Sequence, residues 1–210
     1  MRGAPAIPEL GAQVPRRGGA LLRVIGRAAL ALLGWRLVGR FPNVAKCVII
    51  VAPHTSNWDF VVGIATVFAL GLRVHYLGKH TLFRFPLGAF VRATGGIPVD
   101  RDAAEGIVPR VVERLRSEER ILLAIAPEGT RRRVEQWKSG YYRIAVGAGV
   151  PIFPVAFDYP RRSVVFMELF APTGDHERDE ASLRALFRAE MARHPAAYSG
   201  SSAGSSAATR

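Results

Sequence analysis

An apolar, β-branched run, Val48-Ile49-Ile50-Val51-Ala52, ends at Pro53-His54, and an aspartate, Asp59, follows five positions after the histidine. A neutral imidazole can take a proton from an alcohol, while a carboxylate on its other ring nitrogen fixes the tautomer and stabilises the imidazolium that forms. The spacing restricts how the two can meet. Five residues on an ideal helix put side chains about 140° apart, so His54 must precede a helix, with Thr55 or Ser56 as its cap and Asp59 in or near its first turn. There the helix dipole favours the aspartate as an anion. Cations gather just past other apolar runs: Lys79 in Gly78-Lys79-His80, Arg101 after Asp100, and Arg131 in Glu128-Gly129-Thr130-Arg131. Such donors suit a phosphate or a developing oxyanion. The sequence offers no serine elbow and no suitably placed cysteine, so a hydroxyl on the substrate is expected to attack directly.

These groups need a frame. Strands are expected over Cys47 to Ala52, Val74 to Leu77, Ile97 to Val99, Ile121 to Ala126, Ile152 to Phe157 and Val164 to Leu169. Helices are expected over Asn57 to Leu70, around Leu82 to Ala93 with an interruption at Pro86, from the Asp102-Ala103-Ala104-Glu105 capping box to Ser117, over Tyr141 to Ala148 and over Ala181 to Arg193. Strands alternating with helices imply an α/β fold, with a mostly parallel central sheet covered on both faces. The carboxyl ends of parallel strands share one edge, where ligands bind. His54, Lys79, Asp100-Arg101 and Glu128 to Arg131 each follow an apolar run, so neighbouring parallel strands would bring all of them to one crevice.

The chain of 210 residues suits one domain of this kind, and 49% hydrophobic residues argue against disorder. A net charge of +12 favours an anionic membrane, a nucleotide-bearing cofactor or nucleic acid. Nucleic acid lacks support beyond the charge, because no reading motif or interleaved aromatic-basic surface accompanies it. Cys47 is the single cysteine, in an apolar run, and reads as a buried hydrophobe; no dense ligand motif supports a metal. Residues 1–19 read as a flexible basic arm, 41–195 as the α/β domain and 196–210 as a disordered tail. Residues 20–40 read as an amphipathic helix, either interfacial, with Trp35 at headgroup level, or packed on the core. Its longest uncharged run, Ala28 to Trp35, is far short of the ~20 residues that cross a bilayer. Arg23 and Arg27 point nearly opposite to Arg36 and Arg40 on an ideal helix, so the helix either breaks near Gly34 or spreads its arginines to both flanks. His75 and His80 read as surface or packing residues, Arg161-Arg162 as a loop charge pair, and Trp58 as lining a pocket or packing on the sheet.

His54-Thr55-Ser56-Asn57-Trp58-Asp59 resembles the H-x4-D motif of the glycerolipid acyltransferases, the lysophosphatidate (1-acylglycerol-3-phosphate) acyltransferase group. Gly96-Ile97-Pro98-Val99-Asp100-Arg101 is similar to that family's second block, Glu128-Gly129-Thr130-Arg131 to its third, and Val150-Pro151-Ile152-Phe153-Pro154-Val155 to its fourth. The resemblance covers about Lys46 to Phe157 with the motifs in order. It departs at Pro53, where asparagine is common, at Pro98, and in the extra charge of Arg131-Arg132-Arg133. The resemblance implies a glycerol-3-phosphate acyltransferase-like fold with His54 as general base and Asp59 as its partner. It also implies that Arg101, Glu128, Gly129, Thr130 and Arg131 hold the acceptor's glycerol phosphate, with Lys79 assisting. The donor would be a thioester, acyl-CoA or acyl carrier protein, with no cofactor. The acceptor would be a lysophospholipid at an anionic membrane surface, on its cytoplasmic face, in phospholipid biosynthesis. Another membrane lipid as acceptor, or a lipid-binding protein of the same fold without activity, stays open.

Overall fold

The computed structural model describes residues 7–17, 19–86, 88–99 and 106–198. Seven strands form one sheet in the order β1-β7-β6-β2-β5-β3-β4. They are β1 (Arg36–Val38), β2 (Lys46–Ala52), β3 (Val74–Lys79), β4 (Gly96–Val99), β5 (Ile121–Ile125), β6 (Ile152–Asp158) and β7 (Ser163–Phe166). Among the described strands every neighbouring pair is parallel except β6–β7. The central strand β2 is the near-continuous aliphatic run that burial on both faces demands.

Alternate residues of the central strands feed two cores, as period-two geometry requires. Val48, Ile50, Leu123 and Ile152 join Leu115 of α4 (Ile107–Ser117), Ile144 of α5 (Gly140–Ala148) and Leu183 of α6 (His176–Arg184). Cys47, Ile49, Leu122 and Phe153 join Leu30 of α1 (Ala20–Leu33) and Val62, Ala65 and Ala69 of α2 (Trp58–Leu70). Helices therefore cover both faces, as the alternating pattern implied. Cys47 has no exposure, and burial pushes its thiol up to about 12. It is the small core hydrophobe expected.

The N-terminal helix takes the first of its two alternatives and breaks at Gly34. That residue adopts the left-handed conformation, φ 71°, and its N–H reaches Ala31 O while the Trp35 N–H reaches Leu30 O. These are the two bonds of a Schellman stop. Arg36 consequently lies on β1, paired parallel to β7, and not on a continued helix. At Gly26 a Cβ would lie 2.3 Å from Ala69 N, so glycine lets α1 press directly onto α2. The opposite stripe of α1 is apolar too: Leu21, Val24, Ile25 and Leu32 are exposed. Residues 7–17 lie against the body, with Val14 buried and Arg16 bridged antiparallel to Leu72.

Two further differences have local causes. The last helix starts at His176, not Ala181, because Asp175 caps it through the Arg178 N–H at 3.1 Å. It stops at Arg184, a short 3-10 turn, Ala189–Met191, stands in its expected second half, and another, Pro195–Ala197, follows. The helix expected around Leu82 to Ala93 is a 3-10 turn, His80–Phe83, and a separate α3 (Gly88–Ala93), parted where Pro86 falls. The Asp102–Glu105 capping box lies outside the described residues. Of the disordered tail expected over 196–210, Ala196 and Ala197 instead belong to the second 3-10 turn and Tyr198 is buried, while residues 199–210 lie outside the described residues.

Candidate active site

β2, β5, β3 and β4 are consecutive parallel neighbours, so their carboxyl ends share one edge. His54 stands two residues past β2 and Asp59 in the first turn of α2. His54 Nδ1 lies 3.1 Å from Asp59 Oδ2. The loop between them is pinned reciprocally: the Ser56 N–H donates to Asp59 Oδ2 at 2.9 Å, and the Trp58 N–H donates to Ser56 Oγ at 3.2 Å. The cap residue is Asn57, not the expected Thr55 or Ser56, although the Ser56 hydroxyl still accepts from the first residue of the helix.

Asp59 is 1% exposed. Burial alone would push its carboxyl up, but hydrogen bonds from His54, the Tyr159 hydroxyl and the Ser56 N–H outweigh it and hold the group below the usual carboxylate range. An ionised carboxylate only accepts, so Nδ1 carries the proton and Nε2 keeps its lone pair. The imidazole retains 19% exposure. One ring nitrogen of His54 is therefore tied to Asp59 while the side chain stays partly open to solvent.

Tyr159 completes this arrangement, and the sequence reading did not single it out. Its hydroxyl donates to Asp59 Oδ1 at 2.5 Å. Burial, and then the aspartate itself, push the phenol up, so it stays a donor. Tyr159 directly follows β6, which pairs with β2 (Ala52 beside Ala156). A polar residue just past an apolar strand was the available signal, the same one that marked His54 and Lys79. A strap from the C-terminal turns braces the loop. Met191 O accepts the Tyr159 N–H at 2.9 Å, and the His194 N–H donates to Thr55 Oγ1 at 3.2 Å. The Arg193 guanidinium lies 5.3 Å over the ring of Trp58, which is 44% exposed.

Glu128 occupies a different place from the acceptor-facing one that the family resemblance implied. It has no exposure, and its Oε1 accepts the His54 main-chain N–H at 3.1 Å. It lies behind the histidine because the turn after β5 folds it inward. Burial pushes its carboxyl up to about 8, against the His54 N–H, with Asp59 adding to the rise. Its Oε2 and the buried hydroxyl of Tyr198 have no hydrogen-bond partner among the described residues.

The cations are exposed. Lys79 ends β3, beside Val99 at the end of β4. Arg101 lies outside the described residues. Gly129, φ 65°, turns the chain after Glu128 in the left-handed region that favours glycine, with Lys138 Cδ 2.8 Å from where a Cβ would lie. Lys138 is thus a further cation beside this turn. Thr130 Oγ1 accepts the Arg132 N–H at 3.3 Å, and Arg131 projects to solvent. Among the described residues no His, Cys, Asp or Glu group could hold a metal ion.

A family model described as "Acyltransferase" matches residues 39–158. The 1-acyl-sn-glycerol-3-phosphate acyltransferase of Escherichia coli is 32% identical over 151 residues, 67% of this chain and 60% of that protein. The Haemophilus influenzae protein of the same name is 30% identical over 151 residues, 67% of this chain and 61% of that protein. The chain thus spans about three fifths of the length of these curated relatives. The crystal structure of the 1-acyl-sn-glycerophosphate (LPA) acyltransferase PlsC from Thermotoga maritima shares the fold, with a TM-score of 0.57 and 19% identity over 78% of this chain and 75% of that one.

Proposed function

We propose, since this chain belongs to the Acyltransferase family, that it moves a fatty acyl group from a thioester donor, acyl-CoA or acyl carrier protein, to the hydroxyl of a lysophospholipid such as 1-acylglycerol-3-phosphate in phospholipid biosynthesis. The observation that carries this is the contact of His54 Nδ1 with the buried Asp59 carboxylate, at an edge that also bears exposed cations. Nε2 takes the proton of the acceptor hydroxyl as its oxygen attacks the thioester carbonyl. The C–O bond forms, the tetrahedral intermediate collapses, and the C–S bond breaks. The imidazolium returns its proton to the departing thiolate. Asp59 stabilises the imidazolium. Tyr159 acts as a positioning residue, holding Oδ1 so that Oδ2 faces the ring.

Glu128 fixes the backbone of His54, and Gly129 lets the chain turn tightly beyond it. Lys79, Arg101 and Arg131 meet the acceptor's phosphate, with Thr130 shaping their turn. No helix among the described residues is long and apolar enough to cross a membrane. The exposed stripe of α1 and the +12 charge support peripheral association with an anionic membrane, on its cytoplasmic face. The test is purified protein with labelled acyl-CoA, acyl carrier protein thioesters and a panel of lysolipids, products read by mass. Acylated lysolipid with wild type and a loss of about 10³-fold in His54→Ala is expected; turnover in His54→Ala near the wild-type rate refutes the assignment of the base.

A further inference from the structure

The site edge carries a second apolar projection that neither acyl transfer nor α1 accounts for. β3 runs into the His80–Phe83 turn, and the chain continues through Arg84, Phe85 and Pro86 towards α3. Phe83 anchors this segment. It is buried, a Cβ at Gly78 or at Gly96 would lie 3.1 Å from its ring, and its carbonyl accepts from Arg92 Nη1 at 3.1 Å. The Gly88 N–H also ties back to Arg84 O at 2.8 Å. This platform turns Phe85 fully outward, 98% exposed, with Leu82 at 45% and Phe90 at 47%. Lys79 and Arg84, both exposed, flank it.

Isolated exposed apolar residues are ordinary on protein surfaces. A phenylalanine held clear of the body by a braced turn, grouped with two further apolar side chains and set between cations, is not of that kind. We infer that residues 80–86, with Phe90 beside them, form a membrane finger, which seats Phe85 and Leu82 below the headgroups of an anionic bilayer while Arg84 pairs with lipid phosphates. The inference rests on the lipid acceptor proposed above. Three observations select a bilayer as the occupant. The flanking charges and the net +12 complement anionic lipid. The finger leaves the same sheet edge as His54, where a lipid acceptor must arrive. And α1, whose Leu32 is 88% exposed, leads through its stop at Gly34 to Trp35, which stacks edge-on to Tyr159 at 5.0 Å, so its exposed stripe reaches that edge too. Two contacts, α1 and the finger, would set the open face of His54 against the bilayer.

Cys47 is buried, so Phe85→Cys supplies the reactive thiol for an environment-sensitive fluorophore. Glu119→Cys, exposed just ahead of β5 at the opposite edge, is the control. On adding vesicles of phosphatidylcholine with phosphatidylglycerol, the label at 85 is expected to brighten and shift to the blue, and the label at 119 to stay unchanged. Pure phosphatidylcholine should give a weaker response. Phe85→Ser in the otherwise native chain should lower vesicle partitioning about tenfold, as expected for withdrawing one aromatic ring from lipid. A label at 85 that stays wet on protein floating with the vesicles overturns the finger, as does unchanged partitioning of Phe85→Ser. Shielding of the label without vesicles, rising with protein concentration, overturns it in favour of a second copy of the chain. These readouts need no turnover. A chain that acylates lysolipids while its label stays wet keeps its activity and loses the finger; a label that enters lipid on a chain without transferase activity removes the acceptor assignment alone.

Discussion

The two ends of the site are built by opposite means. At the base end every partner is fixed: Asp59 is sealed, accepts from His54, Ser56 and Tyr159, and lies on a helix clamped by α1. At the cationic end Lys79 and Arg131 are long side chains in solvent, placed only by the strand or turn that carries them. Proton transfer tolerates little displacement, so its groups are ordered before substrate arrives. Phosphate attraction is longer in range and less directional, so its groups can be ordered by the ligand. The base end should therefore govern kcat, and the cationic end KM for the acceptor.

His54→Ala should cost about 10³-fold in kcat, within the range of general-base catalysis, read as acylated product. Asp59→Asn should cost about 10²-fold by leaving Nδ1 without its anion. Tyr159→Phe removes one hydroxyl from the base end; kcat should fall about tenfold, with KM for donor and acceptor unchanged. Combined with Asp59→Asn it should cost almost nothing more, since the two act through one carboxylate. An additive double variant would place Tyr159 outside this chain of bonds. Arg131→Ala is the converse: KM for the acceptor should rise about fivefold at low salt and less at high salt, with kcat held. A matching fall in kcat would erase the difference between the two ends.

Glu128→Gln decides to which end Glu128 belongs. Its folded carboxyl is pushed from the ordinary 4.5 up to about 8, so the native state binds more protons than the unfolded chain between those values. Wild-type stability due to this group is present below pH 4.5 and lost as pH rises towards 8. Glutamine does not titrate, so the variant's melting temperature should gain on wild type across that window, by a few degrees. Acceptor KM should not change, because the carboxyl faces the His54 main chain. A raised KM would return Glu128 to the acceptor.

The base pair and its frame were legible because their signals are local. An aliphatic run stopping at His54, and the five-residue step to Asp59, already require a strand, a loop and a first helical turn. Parallel order followed from alternation, and the shared edge from parallel order. What escaped depends on contacts distant in sequence. Tyr159 is brought to Asp59 by β6 lying beside β2, a pairing that no local pattern states. Glu128 sits in the motif that the resemblance assigns to the acceptor, yet its direction is fixed by a turn around Gly129 and by the backbone of His54. The three-residue β1 hid inside an apolar run, and only Gly34 marked the boundary.

The position of β2 at the centre of the sheet has a consequence for the birth of the molecule. Both strands that flank it, β5 and β6, are encoded far downstream, so its hydrogen bonds can close only after the chain has been made through β6. Such separation between partners slows folding through the entropy of loop closure. His54 and Asp59 are among the first of the site residues to be synthesised, yet the tyrosine that clamps them belongs to the end of β6 and the strap behind it to the last turns. A nascent chain carries the His54–Asp59 pair in its sequence long before the pair is braced, and the arrangement is complete only once β6 and the turns behind it have been made.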